Sequence, residues 1–148
     1  MAELSGSCMC GAISYTIEGP IPDFGSCHCQ TCQKASGSAF GTNLGIPRTQ
    51  LSLSDPQGFL KGYESSPDKI RSFCSHCGTP IYAHLKSTPD LVRIRMGTLE
   101  TPVSKGVKAH TFVSEKASWH EIGGDAAQFA TWADPKVLVQ VGSKQPEN

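Results

Sequence analysis

Seven cysteines in three short clusters constrain this 148-residue chain more than any other feature. The clusters are Cys8-Met-Cys10-Gly11, Cys27-His28-Cys29-Gln-Thr-Cys32 and Cys74-Ser-His76-Cys77-Gly78. An odd number of cysteines cannot pair completely in disulfides within one chain. The N-terminal residues show neither a basic start nor an apolar stretch, so we expect no signal peptide and a reducing, cytoplasmic location. In such a compartment, clustered cysteines are more often metal ligands or catalytic thiols than disulfides.

The spacing of the outer two clusters predicts one closed metal site. Cys74 and Cys77 have the C-x-x-C spacing of a zinc knuckle, in which a tight turn directs two sulfurs at one ion. Cys8 and Cys10 are two residues apart, and in an extended chain such residues face the same way. Together the two pairs supply the four thiolates that zinc prefers in structural sites.

The central cluster then supplies three thiolates, from Cys27, Cys29 and Cys32. An open fourth position distinguishes catalytic from structural zinc, and a thiol that coordinates there loses its proton. The sequence therefore predicts two zinc ions per chain, one structural and one catalytic. Other arrangements remain open, namely a different sorting of the clusters, free thiols, a disulfide in the outer clusters, or a redox pair of Cys29 and Cys32.

The rest of the chain is typical of one small, mainly β domain of stacked or coiled antiparallel sheets, stapled by zinc. Alternating or apolar segments predict strands at 12–18, 51–53, 70–74, 80–85, 91–96 and 137–141, separated by turn signals that include 88–90. One or two short helices are expected, the first over about 30–36 and stopped by Gly37, the second from Asp125 through Trp132. The domain is expected to span 1–141, followed by a flexible polar tail over 142–148.

Charge and composition exclude several classes of function. Thirteen basic residues balance thirteen acidic ones, so no basic signature for nucleic acid or anionic membranes is present. No apolar stretch approaches the roughly 18 residues of a membrane-spanning helix. The glycine-rich phosphate loops and the G-x-S-x-G nucleophile motif are also absent from the sequence.

The five histidines are weaker candidates than the cysteines. His28 lies between two predicted ligands, and His110 and His120 could approach the open site. His76 is expected to be exposed, and His84, in a predicted strand, to be a core histidine with its hydrogen bonds satisfied.

The three ordered clusters and their neighbours resemble the glutathione-dependent formaldehyde-activating enzyme family, whose domain is shared with centromere protein V. The matching motifs are C-x-C-G, C-H-C-x-x-C followed by Q-K-A-S-G-S-A-F-G, and C-x-x-C-G-T-P, with further similarity at 96–99, 110–113 and 116–119. The resemblance covers about residues 4–122. It implies a mainly β fold with a structural zinc on Cys8, Cys10, Cys74 and Cys77 and a catalytic zinc on Cys27, Cys29 and Cys32.

The resemblance also implies a carbon–sulfur lyase that forms S-(hydroxymethyl)glutathione from glutathione and formaldehyde. Glutathione carries two carboxylates, so Lys34 and Arg48, which flank the segment 36–45, are candidates to bind it. The alternative is a non-catalytic zinc-binding interaction module. A redox role is weaker, because no cysteine is left over once four and three are assigned to metals. The sequence does not indicate an oligomeric state.

Overall fold

The computed structural model describes residues 3–139, which form two β-sheets and one short α-helix. The strands are β1 (Glu3–Ser7), β2 (Ser14–Glu18), β3 (Gly25–Cys27), β4 (Gly41–Pro47), β5 (Leu51–Ser54), β6 (Leu60–Ser66), β7 (Lys69–Cys74), β8 (Pro80–Leu85), β9 (Thr88–Arg95), β10 (Ala109–Thr111) and β11 (Ala127–Gln128). The helix α1 spans Gln30–Ser36, and single 3₁₀ turns lie at Arg48–Gln50, Met96–Thr98 and Val113–Glu115. The prediction of a mainly β fold is confirmed.

The strands are arranged in a small and a large sheet. The small sheet has the order β1-β2-β5 and is antiparallel throughout. The large sheet has the order β11-β10-β3-β4-β9-β8-β7-β6. Its pairings are antiparallel except for the two made by β10, which runs parallel to both β3 and β11. Antiparallel sheets, the predicted arrangement, therefore account for most of the pairing.

One apolar core contains side chains from both sheets. Ile13, Tyr15 and Ile17 lie on one side of the β2 segment and are at most 2% exposed, as their alternation predicts. They belong to the same cluster as Leu44 of β4 and Ile94 of β9 in the large sheet. Burial of this shared core therefore holds the small sheet against the large one.

The helix α1 forms where the sequence predicts it. Cys29 is its N-cap residue, and its sulfur accepts a hydrogen bond from the backbone N–H of Cys32 at 3.4 Å. Gly37 ends the helix in the left-handed conformation, with φ of 65°, and donates its N–H to the Gln33 carbonyl.

The prediction of a second helix, from Asp125 through Trp132, is wrong. Residues 127 and 128 form strand β11 instead, and the Phe129 N–H donates to the His110 carbonyl at 2.9 Å. The Phe112 N–H in turn donates to the Thr131 carbonyl. A helix of eight residues is marginal by itself, so pairing with β10 prevails over local propensity.

Two smaller predictions also need correction. The expected turn at 88–90 lies inside β9, because the chain turns at Lys86 and Ser87 instead. The expected strand over 137–141 is absent from its described part, where Val137 and Leu138 donate to the Asp134 carbonyl in a turn. Residues 140 and 141, and the predicted tail over 142–148, lie outside the described residues. Within 3–139, none of the helices is both long and apolar enough to cross a membrane.

Candidate metal centres and active site

The outer cysteines come together in a four-thiol cluster, which consists of Cys8, Cys10, Cys74 and Cys77. Their sulfur atoms all lie within 4.8 Å of one another. The Cys8 and Cys10 sulfurs are 3.5 Å apart, and those of Cys10 and Cys74 are 3.8 Å apart. Cys8 and Cys10 follow β1, whereas Cys74 ends β7 and Cys77 lies in the turn before β8, so the cluster joins the two sheets. Four converging thiols fit the closed tetrahedral coordination of structural zinc.

Hydrogen bonds from neighbouring groups favour the charged form of two of these thiols, Cys8 and Cys77. The backbone N–H of Ile13 donates to the Cys8 sulfur at 3.3 Å. The Thr79 hydroxyl lies 3.2 Å from the Cys77 sulfur, and this contact lowers the pKa of the Cys77 thiol to about 5. Since metals bind the thiolate, these contacts prepare the cluster for a cation.

The central cysteines form a three-thiol cluster, which consists of Cys27, Cys29 and Cys32. Their sulfur atoms also lie within 4.8 Å of one another, and all three residues are buried. Cys27 ends β3, whereas Cys29 and Cys32 belong to the start of α1. Three soft sulfur donors fit a zinc site with one coordination position left open. Both clusters could thus bind metal ions, consistent with zinc.

The three central thiols do not titrate alike. Hydrogen bonds from the Cys27 and Cys29 thiols lower the pKa of Cys32 well below its ordinary value, and the charges of Arg71 and Lys69 lower it further. For Cys27 the effect is opposite: its hydrogen bond with the Cys29 thiol, and then that with the Cys32 thiol, raises its pKa. The surroundings of Cys32 therefore favour its thiolate form, whereas those of Cys27 disfavour it.

A basic wall that sequence reasoning missed lies beside the three-thiol cluster; it consists of Lys69, Arg71, Arg93 and Arg95. Arg71 of β7 is paired with Ala83 of β8, which is paired with Arg93 of β9, so both arginines point to the same face of the sheet. The Arg71 Nη2 atom donates to the Cys32 sulfur at 3.9 Å. The signal that could have revealed the wall is a pair of basic residues two positions apart in each strand, Lys69 and Arg71 in β7 and Arg93 and Arg95 in β9.

These basic groups are crowded and largely buried. Lys69 is only 2% exposed, and Arg71 and Arg93 are each 9% exposed. Burial, and then repulsion from Arg93 and Arg71, lowers the pKa of Lys69 to about 7. Burial and the charge of Arg71 likewise lower the pKa of Arg95 to about 10. The wall therefore presents positive charge at an energetic cost that a bound anion would reduce.

Two neighbouring cavities border this region. The Cys32 cavity, of about 360 Å³, is lined by Cys32, Phe40, Arg71, Arg95 and Thr98 among others. The tyrosine cavity, of about 670 Å³, is lined by Lys34, Tyr63, Tyr82 and the same two arginines among others. Both volumes fall in the range of about 300–1,000 Å³ that is typical of small-molecule sites.

The two predicted glutathione-binding residues are placed differently. Lys34, in α1, lines the tyrosine cavity. Arg48 is exposed beyond the end of β4, donates to the Leu51 carbonyl at 3.1 Å, and is not among the residues lining either cavity. The structure therefore brings Lys34, but not Arg48, to the cavities beside the cysteines.

The histidines His28, His110 and His120 lie together next to the three-thiol cluster. The Nε2 atom of His28 is 2.9 Å from the Nδ1 atom of His110, and the His28 ring centroid is 6.1 Å from that of His120. Burial, and then the charges of His110 and His120, lowers the pKa of His28 to about 4. The His28 imidazole therefore stays uncharged near neutral pH.

The remaining two histidines lie outside this group. His76 is exposed, as predicted, and its ring stacks on Phe59. His84 lies in β8 but is only partly buried, and among the described residues its Nδ1 atom has no hydrogen-bond partner. It is therefore not the satisfied core histidine that the sequence predicts.

Comparisons with known proteins give a consistent picture. Residues 3–115 match the family model described as "Glutathione-dependent formaldehyde-activating enzyme". A protein of Halomonas elongata is 27% identical over 132 residues, covering 80% of each chain, and one of Fusarium vanettenii is 24% identical over 119 residues. Both are named "Putative glutathione-dependent formaldehyde-activating enzyme"; the second match covers 80% of this chain and 58% of the Fusarium protein.

A crystal structure of a Rhodobacter sphaeroides protein shares the fold. It is 20% identical, with a TM-score of 0.56, and the match covers 68% of this chain and 91% of that one. At this identity the similarity supports the fold alone.

Proposed function

The chain belongs to the glutathione-dependent formaldehyde-activating enzyme family, and we propose that it catalyses the addition of the glutathione thiol to formaldehyde. In this reaction a carbon–sulfur bond forms, the carbonyl of formaldehyde becomes a hydroxyl group, and the thiol proton ends on its oxygen. The product is S-(hydroxymethyl)glutathione, and the enzyme is classed by the reverse step as a carbon–sulfur lyase. The names of the two relatives support this choice of substrates.

The observation that carries the proposal is the three-thiol cluster at the edge of a cavity with a basic wall. Cys27, Cys29 and Cys32 would hold a catalytic zinc ion, and the four-thiol cluster would hold a structural one. When bound at the three-thiol cluster, zinc supplies a Lewis acid that favours the thiolate form of a sulfur substrate. Such a site suits a thiol better than it suits the generation of hydroxide.

The residues around the cluster hold its shape and its charge. Arg71 donates to the Cys32 sulfur and so stabilises the thiolate. The Gln33 side chain donates both to the His28 carbonyl at 2.8 Å and to the Glu115 carbonyl at 2.9 Å. These bonds fix the segment carrying the three cysteines against the segment after β10, so the ligand sulfurs are preorganised.

The substrate enters from the side of the two cavities in this proposal. Lys34 is a candidate to bind a glutathione carboxylate in the tyrosine cavity, and Arg48 stays a prediction from the sequence. Holding glutathione and formaldehyde together converts a bimolecular encounter into a reaction within one complex, which lowers the barrier.

The Cys29→Ser variant tests the proposal. We expect the wild-type protein, purified with its metals under reducing conditions, to accelerate S-(hydroxymethyl)glutathione formation above the spontaneous rate, followed by exchange NMR. The variant should lose this acceleration while keeping its circular dichroism spectrum and the metal of the four-thiol cluster. Unchanged turnover in such a folded variant would refute the mechanism. No acceleration by the fully metal-loaded wild type would favour the non-catalytic interaction module.

A further inference from the structure

Two arginines beside the three-thiol cluster have buried N–H groups without a partner. The Nη1 atom of Arg71 and the Nη2 atom of Arg95 are buried and make no hydrogen bond to any residue within 3–139. Arg71 as a whole is 9% exposed, and both side chains line the Cys32 cavity. Buried donors without an acceptor are rare in folded proteins, because they lose their hydrogen bonds to water and form none in exchange. Both atoms therefore indicate an acceptor that binds from the cavity.

The existing partners of these arginines leave that requirement unmet. Arg71 donates from Nε to the Ser65 hydroxyl at 2.9 Å and from Nη2 to the Cys32 sulfur. Arg95 donates to the Oδ1 atom of Asn43. Across residues 3–139, neither arginine forms an ion pair with a carboxylate; the two ion pairs there are Lys86–Glu64 and Lys105–Asp23.

The charge around the cluster points to an anionic ligand. Three thiolates and one divalent ion together carry a single net negative charge, which one cation balances. Arg71 and Arg95, which both line the Cys32 cavity, already supply two positive charges, one more than the metal-loaded cluster requires.

The two arginines lie close enough to the three-thiol cluster for one ligand to contact both. Arg71 and Arg95 line both the Cys32 cavity and the tyrosine cavity, together with Ala35 and Pro80. The Arg71 guanidinium is 3.9 Å from the Cys32 sulfur. A ligand sulfur at the cluster would therefore place atoms several bonds away against these two side chains.

We propose that Arg71 and Arg95 bind a carboxylate of the thiol substrate, so that the site selects thiols carrying a carboxylate several bonds from the sulfur over neutral thiols. A guanidinium offers the planar pair of donors that matches a carboxylate. This inference rests on the proposed function, because it assumes that the sulfur binds at the three-thiol cluster.

Binding to the wild-type, metal-loaded protein tests the inference without a substitution. S-methylglutathione, which cannot add to formaldehyde, and its dimethyl ester are titrated by calorimetry. We expect esterification to raise Kd by about tenfold or more, and added salt to weaken binding of the acid but not of the ester. Equal affinities, or no binding of the acid form at about 10 mM, where even a site with a Kd of about 1 mM would be mostly occupied, would overturn the inference.

Variants then assign the effect to the two arginines. Arg71→Lys and Arg95→Gln should raise the Kd of S-methylglutathione about tenfold and leave that of the dimethyl ester unchanged. Lys86→Ala, which removes one charge at the exposed turn after β8, is the control and should change neither. Equal weakening of acid and ester, in protein with unchanged metal content, would show a merely structural role and overturn the assignment.

The outcomes separate this inference from the proposed function. If the acid binds more tightly than its ester but no acceleration occurs with formaldehyde, the carboxylate site stands and the lyase activity fails. If glutathione reacts faster on the enzyme but acid and ester bind alike, the activity stands and the carboxylate site fails. The pair of 3-mercaptopropionate and 2-mercaptoethanol should show the same preference in the rate of addition.

Discussion

Burial, more than residue type, decides which side chains of this protein are charged. Lys69 lies in a strand that carries two further polar residues, Arg71 and Ser72, yet it is 2% exposed and its pKa is lowered to about 7. His28 is fully buried, and its pKa is lowered to about 4. Such groups lose their hydration on folding, and only hydrogen bonds to protein partners or to a ligand offset the free energy that this costs. The chemistry of the site therefore depends on a few buried polar groups.

His84 is a simple case of this effect outside the cavities. Its ring lies 5.9 Å from that of Tyr82, and its Nδ1 atom has no partner. Burial, and then the positive charge of Arg48, lowers the pKa of His84. Between the pKa of His84 in the folded protein and its higher value in the unfolded chain, the folded protein therefore binds fewer protons at this residue.

The sign of the resulting pH dependence is definite. The contribution of neutral His84 to stability is fully present above its unfolded pKa, about 6.5, and is lost as the pH falls towards the lower folded value. We expect His84→Gln to lose less stability than the wild type between pH 8 and 6. Urea unfolding of both metal-loaded proteins at several pH values measures this, and parallel curves would contradict it.

Among single residues, the sequence predicts the metal-binding cysteines better than the side chains that line the cavities. The cysteines were identified because C-x-C and C-x-x-C are local spacings, and the structure brings them into the predicted groups of four and three. Arg71 and Arg95 could not be placed, because their proximity depends on strand register across β7, β8, β9 and β4. An alternating basic pattern in a strand usually indicates a solvent-exposed face, whereas here it borders a buried thiol cluster.

Among the elements, those with local start and stop signals match the sequence best. The helix α1 has its N-cap at Cys29 and its left-handed C-cap at Gly37, and its predicted bounds are confirmed. The strands β1, β3, β4, β6 and β10 were not predicted, because they are short or rich in polar residues and glycine and depend on partners distant in sequence. Strand β11 illustrates the same point, since it pairs with residues of β10 that lie 18 positions earlier in the chain, as Ala127 does with Ala109.

Gly6 shows how closely β1 approaches the rest of the fold. A Cβ atom at this position would lie 2.3 Å from Tyr15 side-chain atoms and 2.7 Å from the Thr98 carbonyl oxygen. Gly6 also pairs with Leu99, which links the small sheet to the segment after β9. Because Gly6 has no side chain, the Tyr15 ring can pack between β1 and the segment that contains Thr98.

We expect Gly6→Ala to destabilise the protein by about 1–3 kcal/mol, because the added methyl group must displace the buried Tyr15 ring. The matched control is Gly106→Ala, where a Cβ atom would meet nothing within 4 Å. Thermal and urea unfolding of both variants measures the difference. Equal stability of the two variants would show that β1 can move away from Tyr15 at little cost.

On the scale of the whole molecule, the two cysteine clusters differ in what they connect. The four-thiol cluster joins Cys10 to Cys74, which are separated by 64 residues and lie beside different sheets. The three-thiol cluster comes from one short segment at the start of α1. A metal in the first closes a long loop and ties the sheets together, whereas a metal in the second adds little long-range constraint.

We therefore expect two zinc ions per chain, released in two phases when a chromophoric chelator is added. The first ion should leave the three-thiol cluster, because its fourth position is open to the chelator, and the protein should stay folded. The second should leave slowly from the four-thiol cluster, and its loss should lower Tm by at least about 10 °C, since structural zinc supplies folding free energy.

Single substitutions assign the two phases to the two clusters. Cys29→Ser should abolish the fast phase and leave Tm within about 3 °C of the wild type, because its metal closes no long loop. Cys10→Ser should abolish the slow phase and lower Tm strongly, since it opens the connection between the sheets. A single release phase, or a large loss of stability in Cys29→Ser alone, would mean that the three-thiol cluster holds the fold together. The division into a structural and a catalytic metal would then be reversed.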